Sequence, residues 1–506
     1  MSSGLNTTFV PGYGCGDSDG LTPSSLLCSF LHPKAPLNLY ITASNYKGCI
    51  LCCQHARNLI IIMSNSMIIS SIRLETALDY GKYDIIFNGK DMIPELVSYI
   101  ARLEGRKFRR LSAVFNDAVL SGDRSCGKEG PSLYVHIPFC RSLCPFCCFN
   151  RYLFNEDQAR RYFLDLKTEL ALYIQRGFSF SSVYFGGGTP TIMMDELTDF
   201  IKTLRKQFPI REISLETTPR ELSKETIALL KAAGINRLSI GVQSFEEPVL
   251  RTMGRTNGPT NEVKKRLLMA QGQFDTLNVD FVFNFPGQTV TQFEADVAAF
   301  KNLGIDQATF YPLMASPHKR DALELKFNRV DDSRERQFYD VILKELYHGN
   351  YTPSTAWCFS RGAHLIDEYI IDNDDYVGIG AGSVSIVRGN FYVNSFSLER
   401  YHEKITAGQL PIIGWRRLSE RENLRYYLLT KLFGMQFDDN AFRRRFGKKG
   451  TGKLWTELTF FKLCGLVSGD GTLRVTEKGM YPVSVMMRDF FASLNTLREY
   501  CIEHQI

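Results

Sequence analysis

Cys140, Cys144 and Cys147 constrain this chain more than any other feature of its sequence: three thiols within a short loop, directly behind the apolar run Tyr134-Val135-His136-Ile137-Pro138-Phe139. Soft thiolates select zinc or iron–sulfur over hard cations. A structural zinc takes four ligands, and the natural source of the fourth is another close pair; yet beyond Cys148 the next cysteine is Cys358. Three protein ligands suit a four-iron cluster instead, with one iron left open to another molecule. Iron–sulfur is therefore favoured over zinc or a purely structural thiol cluster. Cys148, adjacent to Cys147, points elsewhere and reads as a small core residue. Cys49, Cys52 and Cys53 allow a second metal, with incidental thiols the favoured reading. The remaining cysteines are scattered, with none of the framework of a small secreted disulfide protein, which fits reduced thiols in a cytoplasmic, anaerobic setting.

A chain of 506 residues should form more than one domain. Its 44% apolar and 23% charged content is that of an ordinary soluble protein. A net charge of +6 over this length does not mark a nucleic-acid binder and is compatible with an anionic substrate. The chain opens on polar Met1-Ser2-Ser3-Gly4, unlike a secretory leader. Leu59 to Ile72, broken by Ser64, Asn65 and Ser66, is too short and polar for a membrane span.

Residues 1–62 show no sustained period and carry two readings, a disordered leader or an over-extended start with Met63 or Met67 as the true beginning. Residues 63–130 read as an N-terminal α/β extension ending in a Gly/Ser-rich link. From 131 onward, β-type runs alternate with amphipathic helices, the pattern of βα units around a parallel sheet. The runs are Leu133–Phe139, Ser182–Phe185, Glu212–Leu215, Arg237–Val242, Asn278–Phe283 and Ala308–Leu313. Helices are expected at about Glu156–Arg176, from Ser223 to Gly234, and from Thr291 to near Gly304. Six units make a partial (β/α)6 barrel over 131–400 rather than a full eight-fold one. The glycines at 378, 380 and 382 predict close backbone approach. From 401 to 506, a Ser419–Glu422 capping box and a tight hairpin at Leu466–Val475 predict a small winged-helix-like domain.

Several motifs occur together in order: Tyr134–Cys147, with its C-x3-C-x2-C spacing; Gly186-Gly187-Gly188-Thr189-Pro190; Leu215-Glu216-Thr217-Thr218-Pro219; Ser239–Phe245; and Asn278-Val279-Asp280. They resemble the radical S-adenosylmethionine (radical SAM) superfamily and, within it, the oxygen-independent coproporphyrinogen III oxidase family, a group that also contains haem chaperones and radical methyltransferases. The likeness spans roughly 131–490. It implies that Cys140, Cys144 and Cys147 hold a 4Fe–4S cluster whose open iron chelates S-adenosylmethionine, to be cleaved to methionine and a 5′-deoxyadenosyl radical. It places Tyr134, Phe146, Gly187 and Glu216 on that S-adenosylmethionine, Tyr134 and Glu216 being the catalytic candidates, and Val384 near its adenine. Gly188, Thr189, Gln243, Arg255, Asp280 and Met314 fall where members bind a second S-adenosylmethionine. Each position has a plainer reading as well: strand-end structure for Glu216, Gln243 and Asp280, a surface arginine for Arg255, core packing for Met314.

Two departures bear on the reaction. Where decarboxylating members carry a further cysteine this chain has Phe149, and the late His-Asn motif of the chaperones is absent around Trp357–Arg361. The expected activity is coproporphyrinogen-type oxidative decarboxylation of a tetrapyrrole, with Arg141, Arg151 and Arg361 as candidate carboxylate anchors. The alternatives are methyl transfer from a second S-adenosylmethionine, and a haem chaperone with His364 or Cys358 as axial candidates. The expected partners are a porphyrinogen or other tetrapyrrole and a reductant such as flavodoxin or ferredoxin, with no nucleic acid, no membrane span and a monomeric state. The basic patch at Phe442–Phe446 reads as a solvated face, and the C-terminal region as a substrate lid.

Overall fold

The computed structural model describes residues 92–113, 120, 130–255, 257–327, 331–349, 351–362 and 374–506; N-terminal to these it describes only the backbone of strands between 27 and 73. Two compact units result, Met1–Asp91 and Met92–Ile506. In the first, strands Leu27–His32, Ala35–Ala43, Gly48–Cys53, Asn58–Met63 and Ser70–Arg73 pair antiparallel in sequence order. The side chains of Cys49, Cys52 and Cys53 lie outside the described residues, as do Cys15, Cys126 and His364.

The second unit is built on the six predicted strands: β1 (Ser132–Ile137), β2 (Ser182–Gly187), β3 (Glu212–Thr217), β4 (Arg237–Gln243), β5 (Thr276–Phe283) and β6 (Gln307–Pro312). All neighbours pair in parallel and in sequence order. Parallel strands are covered on both faces and so read as near-continuous apolar runs; Leu133, Val135, Leu215, Leu238, Val279 and Phe281 are all fully buried. The sheet does not close. Beyond β6 it continues into antiparallel β7 (Cys358–Ser360). On the other side, β8 (Tyr376–Ile379) lies parallel to β1 and leads to antiparallel β9 (Val384–Val387), β10 (Asn390–Asn394) and β11 (Ile412–Arg417). This is the partial α/β barrel the alternation predicts.

The helices start and stop where local chemistry directs. Helix α1 (Met92–Lys107) precedes the barrel. Helix α2 (Glu156–Gln175) begins on Asn155, whose side chain accepts the Gln158 N–H, and its predicted apolar face is buried. Helix α3 (Lys224–Ala232) is capped by Ser223. Helix α4 (Val290–Leu303) opens one residue earlier than expected because Thr289 and Gln292 form a reciprocal capping box, and it closes on left-handed Gly304. The Ser419–Glu422 box opens α5 (Glu420–Phe433), with Leu424, Leu428 and Leu432 buried. The predicted hairpin pairs Val467–Ser468 with Thr472–Val475 beside Gln436–Asp438, and the 27-residue α6 (Glu477–Glu503) follows.

Helix α6 ties the C-terminal region to the barrel. It packs along α1 and is pinned to the barrel at several points. Arg488 makes a buried ion pair with Glu335 at 2.6 Å, Trp357 Nε1 donates to Ser484 Oγ at 2.8 Å, and Asn495 Nδ2 donates to the Met314 carbonyl at 2.7 Å. Breaking such a pair leaves an uncompensated buried charge, and from this position the helix contributes Phe490, Leu494, Asn495 and Arg498 to the cavity wall. Among the described residues no helix is long and apolar enough to cross a membrane.

Candidate functional site

A large cavity opens at the C-terminal ends of the parallel strands, where open α/β sheets place their ligands. About 310 Å³ of it admits the centres of water molecules. Every residue assigned from the sequence to the cluster or to S-adenosylmethionine lines it: Tyr134 from β1; Cys140, Cys144, Phe146 and Cys147 from the following loop; Gly187, Gly188 and Thr189 from the end of β2; Glu216 from β3; Gln243 and Arg255 from β4 and beyond; Asp280 from β5; Met314 after β6; and Val384 from β9.

The cysteine loop is held from several directions. Gly188 N–H donates to the Ile137 carbonyl and Thr189 N–H to that of Phe139, both at 2.8 Å, so the glycine run clasps the loop's entry. Thr189 Oγ1 lies 3.6 Å from Cys140 Sγ, and Arg255 Nη1 3.4 Å from Cys144 Sγ. Such donors stabilise thiolate charge and tune a bound cluster. Phe146 packs edge-on against Phe285, closing one side with apolar surface.

Gly187 is held close against its neighbours. Its φ is +109°, and a Cβ there would sit 2.5 Å from the His136 imidazole. His136 cannot yield, because Nδ1 is 3.0 Å from the Tyr134 hydroxyl and Nε2 is 2.9 Å from the Asn150 carbonyl. Burial holds this imidazole down near 4, hence neutral at ordinary pH. Gly187→Ala is expected to destabilise the protein by about 3 kcal/mol, strain and overpacking combined; a melting temperature within error of wild type would contradict this packing.

Glu216 receives Tyr184 OH at 2.9 Å on one carboxylate oxygen and Gly187 N–H at 3.1 Å on the other. Burial, with the nearby Asp280 carboxylate, pushes Glu216 up to about 7. Asp280 is raised for the same first reason and is held by Ser239 Oγ at 2.8 Å and Asn278 Nδ2 at 2.7 Å. Gln243, at φ +74°, sits at an irregularity in the β4–β5 register. Strained non-glycine backbone concentrates at functional sites.

The predicted close approach of the 378–382 glycines is made to protein. Gly380, at φ +95°, leaves no room for a Cβ against the His136 carbonyl and Tyr162 hydroxyl. Its N–H donates to Glu169 Oε2 at 2.8 Å. That carboxylate also accepts Tyr401 OH and Asn394 Nδ2, each at 2.7 Å, which fixes the loop carrying Gly382, Ser383 and Val384 to the cavity. Burial outweighs these donors and pushes Glu169 up to about 7; the other titratable groups facing it are Tyr162, Tyr173, Tyr392, Tyr401 and Asp165, the last paired with His402. A carboxyl raised from its unfolded value favours folding fully below that value, and the advantage is lost as pH rises through the folded one. The stability difference between wild type and Glu169→Gln is therefore expected to fall by about 3 kcal/mol from pH 4.5 to 8. A difference independent of pH, measured by denaturant unfolding, would contradict this.

Three sequence readings need correction. Cys148 lines the cavity rather than the core, and burial pushes its thiol up to about 11. Arg361 lies outside the cavity, over the Tyr351 ring, and Cys358 is fully buried in β7. Arg141 and Arg151 do line it, but Arg141 is paired with Glu221 at 2.8 Å and Arg151 donates to the Cys147 carbonyl. The sequence reading passed over His136, Tyr184, Asn495 and Arg498. His136 had a signal, lying two residues from Tyr134 on the same strand face.

The site suits an iron–sulfur cluster with an organic ligand. Cys140, Cys144 and Cys147 give one loop an all-thiol donor set, and the thiolates of a four-iron cluster bind separate irons. The Arg255 Nε is buried without a hydrogen-bond partner beside the glycine-lined end of the cavity, a donor left over for a bound ligand.

Comparison with known proteins bears this out. The sequence profile of the radical SAM superfamily matches residues 134–300. The chain is 31% identical over 269 residues to the haem chaperone HemW of Escherichia coli (strain K12), covering 50% of this chain and 69% of that protein. It is 29% identical over 309 residues to the anaerobilin synthase of Escherichia coli O157:H7, covering 57% and 68%. Among solved structures, the coproporphyrinogen III oxidase HemN of Escherichia coli superposes with a TM-score of 0.65 at 22% identity, covering 75% of this chain and 94% of that one, which shows a shared fold.

Proposed function

Because the chain belongs to the radical SAM superfamily and, within it, to the oxygen-independent coproporphyrinogen III oxidase-like family, we propose that this radical SAM enzyme acts on a carboxylate-bearing tetrapyrrole. Its cofactors are a 4Fe–4S cluster and S-adenosylmethionine. Cys140, Cys144 and Cys147 would hold the cluster, and Tyr134, Phe146, Gly187 and Glu216 the S-adenosylmethionine. Bound there, the two cofactors supply a carbon-centred radical able to take hydrogen from an unactivated carbon.

The chain's own residues supply the rest. Thr189 and Arg255 donate to the thiolates. Glu216, fixed by Tyr184 and the Gly187 amide, presents a carboxylate to an amino group. Phe146 and Phe285 exclude water from the reacting centre. A second S-adenosylmethionine would meet Gln243, Asp280 and Met314.

The observation that carries the tetrapyrrole reading is the breadth of the cavity, which runs past these residues into an aromatic region with an arginine. The favoured reaction is decarboxylation: hydrogen-atom loss from a propionate arm, followed by departure of carbon dioxide and of one electron to an acceptor, leaves a vinyl group. Anaerobic turnover with coproporphyrinogen III tests it. Formation of 5′-deoxyadenosine with the substrate unaltered rejects that substrate, and accumulation of S-adenosylhomocysteine would indicate methyl transfer instead. The likeness to a haem chaperone favours a second reading, haem delivery, for which a stoichiometric Soret shift on haem titration is the signature.

A further inference from the structure

The far end of the cavity serves none of the cofactor residues. There Phe108, Phe391, Tyr426 and Phe490 form one aromatic wall: Phe108 meets Phe391 at 5.0 Å and Phe490 at 5.3 Å between ring centroids, and Tyr426 lies 6.0 Å from Phe490. Three of these rings come from outside the barrel: Phe108 directly after α1, Tyr426 on α5 and Phe490 on the pinned helix α6.

From α6 a single guanidinium also enters, that of Arg498. Its Nη1 donates to Asn495 Oδ1 at 2.9 Å, and it lies 5.3 Å above the Phe149 ring. Asn495 is itself tied to the Met314 carbonyl. The group is therefore half-buried and oriented from two sides, yet among the described residues it has no carboxylate partner. The other arginines of the cavity differ: Arg141 is neutralised by Glu221, Arg151 and Arg255 spend donors on backbone carbonyls, and Arg220 is exposed at the rim. A guanidinium held away from water beside apolar rings wants an anion, and its planar fork fits a carboxylate bidentately. Phe149, whose ring it overlies, directly follows Cys147 and Cys148, so an anion bound to it lies beside the cysteine loop.

We infer that Arg498 is a specificity-determining residue that anchors a carboxylate of the substrate, while the aromatic wall takes its flat apolar body. This deepens the tetrapyrrole reading and rests on it. Asn495 is the positioning residue that aims the fork.

The test is equilibrium binding, followed by absorbance, of coproporphyrin III and of its uncharged tetramethyl ester to the cluster-loaded protein. The read-out is the ratio of the two affinities, which a general loss of folded protein does not bias. Wild type is expected to prefer the acid at least tenfold, and Arg498→Met to bring the ratio near one. An unchanged ratio in Arg498→Met overturns the inference while leaving the tetrapyrrole reading in place; binding of neither compound by wild type removes that reading and the inference with it. Should Arg498→Met bind neither, Arg498→Lys decides: it keeps the charge but loses the fork, and the ratio is expected to fall at least threefold, an unchanged ratio again overturning the assignment.

Discussion

Replacing Cys144 with alanine is expected to leave the anaerobically reconstituted protein without a complete four-iron cluster and to lower 5′-deoxyadenosine formation by roughly three orders of magnitude. Loss of an outer partner of a metal ligand typically costs about 10- to 100-fold, and loss of a ligand itself costs more. Cys144 is buried and receives a donor from Arg255, so no neighbouring thiol can take its place without moving the loop. Cys148 stands one residue past Cys147 and does not restore the spacing. Iron and acid-labile sulfide analysis with product assay checks this; a variant with full iron content and undiminished turnover would contradict the assignment of the ligands.

Glu216→Gln is expected to raise the KM for S-adenosylmethionine by about 10- to 100-fold with a smaller change in kcat. A hydrogen bond to a charged group contributes about 1.5–3 kcal/mol, and each 1.4 kcal/mol is tenfold in affinity. The carboxylate accepts from Tyr184 and from the Gly187 amide. An amide in its place can keep both contacts only if the Tyr184 hydroxyl turns to accept, and it gives up the charge that an amino group would meet. A KM within twofold of wild type, measured by initial rates of 5′-deoxyadenosine release, would remove Glu216 from the binding set.

What could be read from sequence divides along a physical line. Thiol spacing, the Gly186–Gly188 run, the helix start at Ser223 and the Ser419–Glu422 capping box are local, and each appears in the structure as local chemistry requires. The six parallel strands were legible because buried strands are continuous apolar runs. Contacts between distant segments were not. Nothing near Gly187 in the chain tells that His136 fills the space beside it, or that Tyr184 faces Tyr134 across the β1–β2 register. Arg498 reaches Phe149 from the last helix, a juxtaposition that sequence periodicity cannot supply. The 378–382 glycines announced a close approach but not its partner, because glycine reports only the absence of a side chain.

The most direct test of the central claim is to reconstitute the wild-type protein anaerobically with iron and sulfide, reduce it with dithionite in the presence of S-adenosylmethionine, and assay 5′-deoxyadenosine and methionine. Both products, formed together and absent without reductant, are the expected result. A protein that binds zinc in place of iron at Cys140, Cys144 and Cys147 and yields neither product would contradict it.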